Sequence, residues 1–188
     1  MKISNWKILE RDFVENEMYD NYKAHQIISN IFNESVQFDV SYKNMMVEIL
    51  IYSNNEIKNI PTFGQIISKD FNPSFQKTNY KIKVNANIVK SVKQDDKCKK
   101  IPLTSEIDVL EYFNERSEKF GITINSLISS GSKTKTFFKN SSKITATSSD
   151  LTISCNVFNE ELFKNMVFTG IGSQRKFGYG LVKVFKTP

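Results

Sequence analysis

The order strand, helix, strand, strand occurs twice along this 188-residue chain, and a chain patterned that way has few means of burying its apolar faces. Residues 2–10 alternate, with Ile3, Trp6, Ile8 and Leu9 as the apolar content, the period-two signature of a strand. A helix is expected from about Asp20 to Phe32. There Ala24, Ile27, Ile28, Ile31 and Phe32 fall at the spacing of one buried stripe. Val36 to Ser41 and Met45 to Tyr52 read as two strands that turn near Lys43-Asn44. A polar connection over 54–61 ends at Pro61, and Phe63 to Ile67 reads as a further strand.

The second half keeps the rhythm. Tyr80, Ile82 and Val84 alternate with Lys81 and Lys83, a strand with one basic face. Lys90 to Lys100 is charged and reads as a mobile loop. After Pro102, Thr104 or Ser105 caps a helix that runs to about Lys119 and stops at Gly121, with Val109, Leu110 and Phe113 on its apolar face. Strands are expected at 122–129 and 143–155 with a basic hairpin between them. A short helix from about Asn159 to Val167 and a last strand from Leu181 to Phe185 follow. Two β-α-β-β-α-β patterns in tandem imply an α+β fold of two ferredoxin-like modules, the topology of RNA-recognition motifs. The division falls near residue 75, giving modules over 1–75 and 76–188.

Composition narrows the function classes. At 39% hydrophobic residues the chain has enough apolar material for a core and is not a disordered tail. No run of about 18 apolar residues exists to span a membrane, and the start, MKISNWKILERDF, is charged too early for a signal peptide. Cys98, Cys155 and a single histidine cannot build an ordinary zinc site. A cytoplasmic, reduced protein with no membrane partner, no metal and no cofactor is the expectation. The net charge is +6, yet only Arg11, Arg116 and Arg175 are arginine among 26 basic residues. Abundant lysine and asparagine match the drift of an AT-rich genome, so charge leaves a polyanion partner open without requiring one.

Three features can carry chemistry. Gly170, Gly172, Gly178 and Gly180, four of the seven glycines, fall within residues 170–180 beside Arg175 and Lys176. Glycine lets main-chain N–H groups approach phosphate oxygens, and it equally permits a tight connection between a helix and a strand. The segment follows a helix and leads into a strand, which excludes a dinucleotide-binding loop. His25, the only histidine, lies with Tyr22 and Ser29 on one side of the expected helix, flanking its buried stripe. Tyr22 and His25 are i, i+3 neighbours whose polar tips can converge on one group, although a lone histidine at a helix border also occurs for purely structural reasons. In residues 129–143, Lys133, Lys135, Lys139 and Lys143 form a basic patch suited to a phosphate backbone, or a solvated turn. Phe137 and Phe138 there can stack on bases, or divide between core and surface.

Together these residues resemble the CRISPR repeat-processing endoribonucleases of the Cas-six superfamily, in particular the CasE subgroup of type I-E Cascade. GIGSQRKFGYGL, from Gly170 to Leu181, is similar to that family's GIGxxKxxGxGL loop. Tyr22-Lys-Ala-His25-Gln26 with Ile31-Phe32 resembles its YxxHQ…LF helix. Glu48 to Ser53 resembles its VLLQS strand, Tyr80 to Asn85 its FRLRANP strand, and Lys100 to Leu103 its RVPL segment. The blocks occur in family order across nearly the whole chain. Ala86 stands where the family has proline, and Lys81 and Lys83 where it has arginine, which removes bidentate guanidinium contacts.

The resemblance implies binding of the CRISPR repeat stem-loop, in precursor and mature crRNA, and metal-independent cleavage at the 3′ base of the stem. The products would carry a 2′,3′-cyclic phosphate and a 5′-hydroxyl, and the enzyme would stay with the RNA beside other Cascade-type effector subunits. His25 and Tyr22 would be catalytic, with Ser29 or a lysine as a third partner. Lys133, Lys135, Lys139, Lys143, Arg175 and Lys176 would contact RNA. A non-catalytic RNA-hairpin scaffold of the same family is the alternative. A single-strand binder of the RNA-recognition-motif type is less consistent, because no aromatic sheet motif is present.

Overall fold

The computed structural model describes residues 1–94 and 97–187. The chain divides into two compact units, each assembled from more than one stretch of sequence.

The first unit comprises Met1–Asn72, Thr136–Ile144 and Arg175–Gly178. Its elements are β1 (Lys2–Leu9), α1 (Glu10–Glu15), α2 (Asn21–Phe32), β2 (Gln37–Lys43), β3 (Met46–Ser53) and β4 (Gln65–Asp70). The four strands form an antiparallel sheet in the order β2-β3-β1-β4. Alternation decides its faces: Trp6 and Ile8 of β1 and Val47, Ile49 and Ile51 of β3 point into the core, while Asn5 and Lys7 stay exposed. Helix α2 contributes Ala24, Ile28, Ile31 and Phe32 to that core. Ile28, Ile31 and Phe32 each contribute about 1.5–3 kcal/mol on burial. The Trp6 indole donates to the Phe63 carbonyl at 3.1 Å, so the buried ring leaves no orphan N–H.

The second unit comprises Pro73–Lys135, Thr145–Gln174 and the chain from Tyr179 on. It contains β5 (Asn79–Ala86), β6 (Val89–Gln94), β7 (Lys97–Pro102), α3 (Glu106–Asn114), α4 (Ser117–Phe120) and α5 (Glu160–Thr169). It also holds most of β8 (Ile122–Lys139) and β9 (Ser142–Val157), and β10 (Lys183–Lys186). Its main sheet runs β10-β5-β9-β8. Numbered within each four-stranded sheet, both have the strand order 4-1-3-2, the ferredoxin-like arrangement expected from the sequence.

Several local expectations are corrected. The loop expected over Lys90 to Lys100 is, in its described residues, a two-stranded ribbon in which β6 and β7 pair antiparallel; residues 95 and 96 lie outside the described residues. Lys90 and Lys93 point to solvent on it and so give no apolar period. Helix α1 escaped the pattern because it is short and buries only Phe13. Ser105, not Thr104, caps α3, accepting from the Asp108 amide. The expected helix to Lys119 breaks after Asn114, where the Arg116 guanidinium lies 4.0 Å from the Tyr112 ring centroid and donates to the Tyr112 carbonyl at 3.1 Å. The strand expected over 63–67 runs from Gln65 to Asp70. The turn between β2 and β3 falls on Asn44-Met45, both left-handed, one residue beyond the expected position.

The strands expected to stop at 129 and start at 143 instead form one long hairpin. Its two-residue turn, Asn140-Ser141, has φ of 46° and 64°, the signature of a type I′ turn that matches strand twist. Among the described residues no helix is long and apolar enough to cross a membrane.

Candidate active site

Helix α2 begins with a strong cap. The Asp20 carboxylate accepts from the amides of Tyr22 at 2.8 Å and Lys23 at 2.9 Å, an arrangement worth about 1 kcal/mol. The buried stripe from Ala24 to Phe32 then fixes the helix's rotation. Tyr22, His25 and Ser29 are thereby left at the border of the core, each half-buried.

Three segments of the first unit converge on His25. From its own helix, the Ser29 hydroxyl stands 3.0 Å from His25 Nδ1. From the segment Arg175–Phe177, a single turn of 3-10 helix, the Phe177 ring meets the imidazole edge-on, with centroids 5.4 Å apart and planes at 88°. Phe177 also lies 6.2 Å from Tyr22 and 5.0 Å from Phe137, and its carbonyl accepts from Asn21 Nδ2 at 2.6 Å. From the tip of the β8–β9 hairpin, Asn140 Oδ1 accepts from the Tyr22 hydroxyl at a long 3.5 Å. Tyr22 and His25 have ring centroids 6.5 Å apart.

Electrostatics at the imidazole have one sign. Its pKa is held below the ordinary 6.5, first by burial and then by the ammonium groups of Lys176 and Lys139. His25 is therefore neutral at pH 7 and ready to accept a proton, while two cations near it suit a phosphate oxygen.

A protein-family model described as CRISPR associated protein matches residues 9–185. The chain belongs to that family. No curated protein matches the sequence. Among solved structures, Cas6e from Escherichia coli strain K-12 has a TM-score of 0.78 at 16% identity, over 98% of each chain. Thermus thermophilus Cse3 bound to an RNA representing a pre-cleavage complex has a TM-score of 0.77 at 12% identity, over 99% of this chain and all of that one. A chain of a CRISPR RNA-guided surveillance complex, pre-nicking, has 0.75 at 12%, over 98% of this chain and 99% of that one. At such identities the likeness establishes the fold.

In this CRISPR associated protein the other residues singled out by sequence divide between the two units. Lys143 and Arg175 are exposed in segments of the first unit, the one that carries His25. Lys133 and Lys135 are exposed in the second unit, with Lys133 Nζ 3.9 Å from the Asp150 carboxylate. Phe137 is 1% exposed and supports Phe177, whereas Phe138 is 59% exposed. One is core and the other surface.

The glycine segment is mainly a packing device. The amides of Gly170, Ile171, Ser173 and Gly180 donate to the carbonyls of Met166, Gly180, Asn87 and Asn85 at 2.6–2.9 Å, so these N–H groups are not open to a phosphate. A Cβ on Gly172, at φ +83°, would stand 2.7 Å from the Asn87 carbonyl oxygen. Among the described residues no group of three or more His, Cys, Asp or Glu side chains is placed to hold a metal ion.

Sequence reasoning missed Phe177 and Asn140. The first looks like filler between Lys176 and Gly178, and the second like one more asparagine of an asparagine-rich chain. The signal that could have found Asn140 is its place in Asn-Ser between two strand patterns, a turn dipeptide at the end of a basic hairpin.

Proposed function

We propose that this protein is the endoribonuclease that matures CRISPR RNA. It would bind the repeat stem-loop, cut precursor crRNA at the 3′ base of the stem without a metal, and remain on its product beside Cascade-type effector subunits. One observation carries the reading: a neutral imidazole, held by Ser29 and Phe177, sits with a phenol and two ammonium groups in a family whose RNA-bound fold relatives are CRISPR endoribonucleases.

The chemistry follows from those groups. An RNA strand carries its own nucleophile in the 2′-hydroxyl next to the scissile phosphate, so holding the two in line supplies most of the proximity needed. His25 takes the 2′-hydroxyl proton, the 2′-oxygen bonds to phosphorus, and the bond to the 5′-oxygen breaks. The products are a 2′,3′-cyclic phosphate and a 5′-hydroxyl. With one imidazole in the chain, the proton for the departing 5′-oxygen comes from an ammonium group, Lys139 or Lys176. Both also offset charge on the phosphate oxygens. Tyr22 hydrogen-bonds the phosphate or steadies the ring. Lys133, Lys135, Lys143 and Arg175 hold the stem chiefly through its phosphates, since the major groove of A-form RNA is too deep and narrow to read.

The base role has a pH signature. A base works when deprotonated, so kcat/KM for a cognate repeat hairpin falls as pH drops through the pKa of free-enzyme His25, below 6.5. Lys176→Gln removes a charge that disfavours the imidazolium, so the acid limb moves to higher pH. A limb that stays put, or moves lower, contradicts the assignment of His25 as the titrating base.

A further inference from the structure

We propose that Ser29 is a positioning residue for His25: its hydroxyl oxygen accepts a hydrogen bond from Nδ1–H and so holds the ring in the tautomer whose Nε2 is bare. The consequence for catalysis rests on the ribonuclease reading above; the claim about the ring does not.

Ser29 is four residues after His25, and side chains at that spacing on a helix share one face. The 3.0 Å separation of Oγ and Nδ1 is a normal hydrogen bond. Either atom can donate, so the direction must be settled by what the ring is. Burial and the two ammonium groups, Lys176 from the 3-10 turn and Lys139 from the hairpin, keep it neutral; the titratable neighbour on its own helix is Tyr22. A neutral ring has one N–H. If that proton sits on Nε2, Ser29 donates to Nδ1, and the nitrogen left over for substrate is already protonated and useless as a base. If it sits on Nδ1, Ser29 accepts it and Nε2 offers a lone pair.

Only the second form fits a base at this position. A hydroxyl has two lone pairs and a rotating hydrogen, so accepting from Nδ1 leaves it satisfied. As Nε2 takes the 2′-hydroxyl proton the ring turns cationic, and its Nδ1–H···Oγ bond becomes charge-assisted and stronger. Ser29 thus acts twice, on the tautomer before the step and on the imidazolium during it. The edge-on contact with Phe177 leaves the ring few other orientations.

Because His25 is the only histidine, a long-range proton–nitrogen correlation spectrum of the whole protein contains one imidazole. At a pH where that ring is neutral, wild type shows a protonated Nδ1 and a bare Nε2. Ser29→Ala shifts the population to the opposite tautomer, and Ser29→Thr, which keeps the hydroxyl, retains the wild-type pattern. In single-turnover assays Ser29→Ala cuts repeat RNA about 10- to 100-fold more slowly, less than the loss expected for the base itself. It binds a 2′-deoxy repeat as tightly as wild type, and Ser29→Thr restores the rate. A wild-type ring protonated on Nε2, an unchanged tautomer in Ser29→Ala, or an unchanged rate overturns the proposal. If wild type cuts no repeat RNA, the ribonuclease reading falls, and the ring spectrum decides the claim for Ser29 by itself.

Discussion

His25→Ala loses about 10²–10⁴-fold in the single-turnover rate of repeat cleavage and keeps the affinity of wild type for the same RNA. The size of the loss follows from the chain holding a single imidazole, so that no second one can take over as base. What survives the change is the in-line placement of the 2′-hydroxyl and the two cations, which is why the residual rate stays above that of free RNA. Affinity is spared because the stem is assigned to basic side chains other than His25, and because alanine suits the border position in α2. Single-turnover cleavage and filter binding on one RNA preparation check both halves. Equal rates for the variant and wild type remove His25 from the chemistry. Tight binding without cleavage by wild type itself favours a scaffold that has lost its activity.

Gly178→Ala destabilises the protein by about 2–5 kcal/mol and slows cleavage with it. Gly178 has φ +84°, a conformation that costs an L-residue about 1–2 kcal/mol. Its added Cβ would also stand 2.9 Å from Cε2 and 3.3 Å from Cζ of Phe38. Phe38 is a core ring that cannot swing away, so overpacking adds about 1–3 kcal/mol. Relief comes by moving the 3-10 turn, and that turn carries both Phe177, on which His25 rests, and Lys176. Gly131→Ala isolates the backbone part, since Gly131 has φ +86° and nothing within 4 Å of its Cβ position. Urea titrations of the two variants measure the difference. Equal stabilities would mean that the turn does not lock against Phe38, and that Phe177 is not held where it meets the imidazole.

Much of this was legible in the sequence, for identifiable reasons. Strand faces follow from alternation: Trp6 and Ile8 in β1, and Ile82 and Val84 in β5, point inward as their spacing demands. The stripe of α2 sets its rotation, and with it the shared side of Tyr22, His25 and Ser29. Periodicity failed where burial is one-sided or absent. The β6–β7 ribbon has lysines along it because both its faces meet water, and α1 offers one buried ring in six residues. The outer part of the β8–β9 hairpin, rich in Lys, Ser and Thr, has too little apolar content to announce a strand, yet its ladder continues to the turn. The site was half legible. Residues on one helix could be placed together by arithmetic, but Phe177, Lys176 and Lys139 reach His25, and Asn140 reaches Tyr22, through tertiary folding. Nothing along the chain tells that segments 136–144 and 175–178 return to the first unit.

Everything proposed for this site requires the RNA's own 2′-hydroxyl to be the nucleophile that an imidazole activates. Wild-type protein should be incubated in chelator with a cognate repeat hairpin, and with the same hairpin carrying one 2′-deoxy nucleotide before the scissile bond, and the new ends analysed. The first RNA should yield a 2′,3′-cyclic phosphate and a 5′-hydroxyl, and the second should stay intact and fully bound. Cleavage of the 2′-deoxy hairpin, or products ending in a 3′-hydroxyl and a 5′-phosphate, would contradict that role of the 2′-hydroxyl.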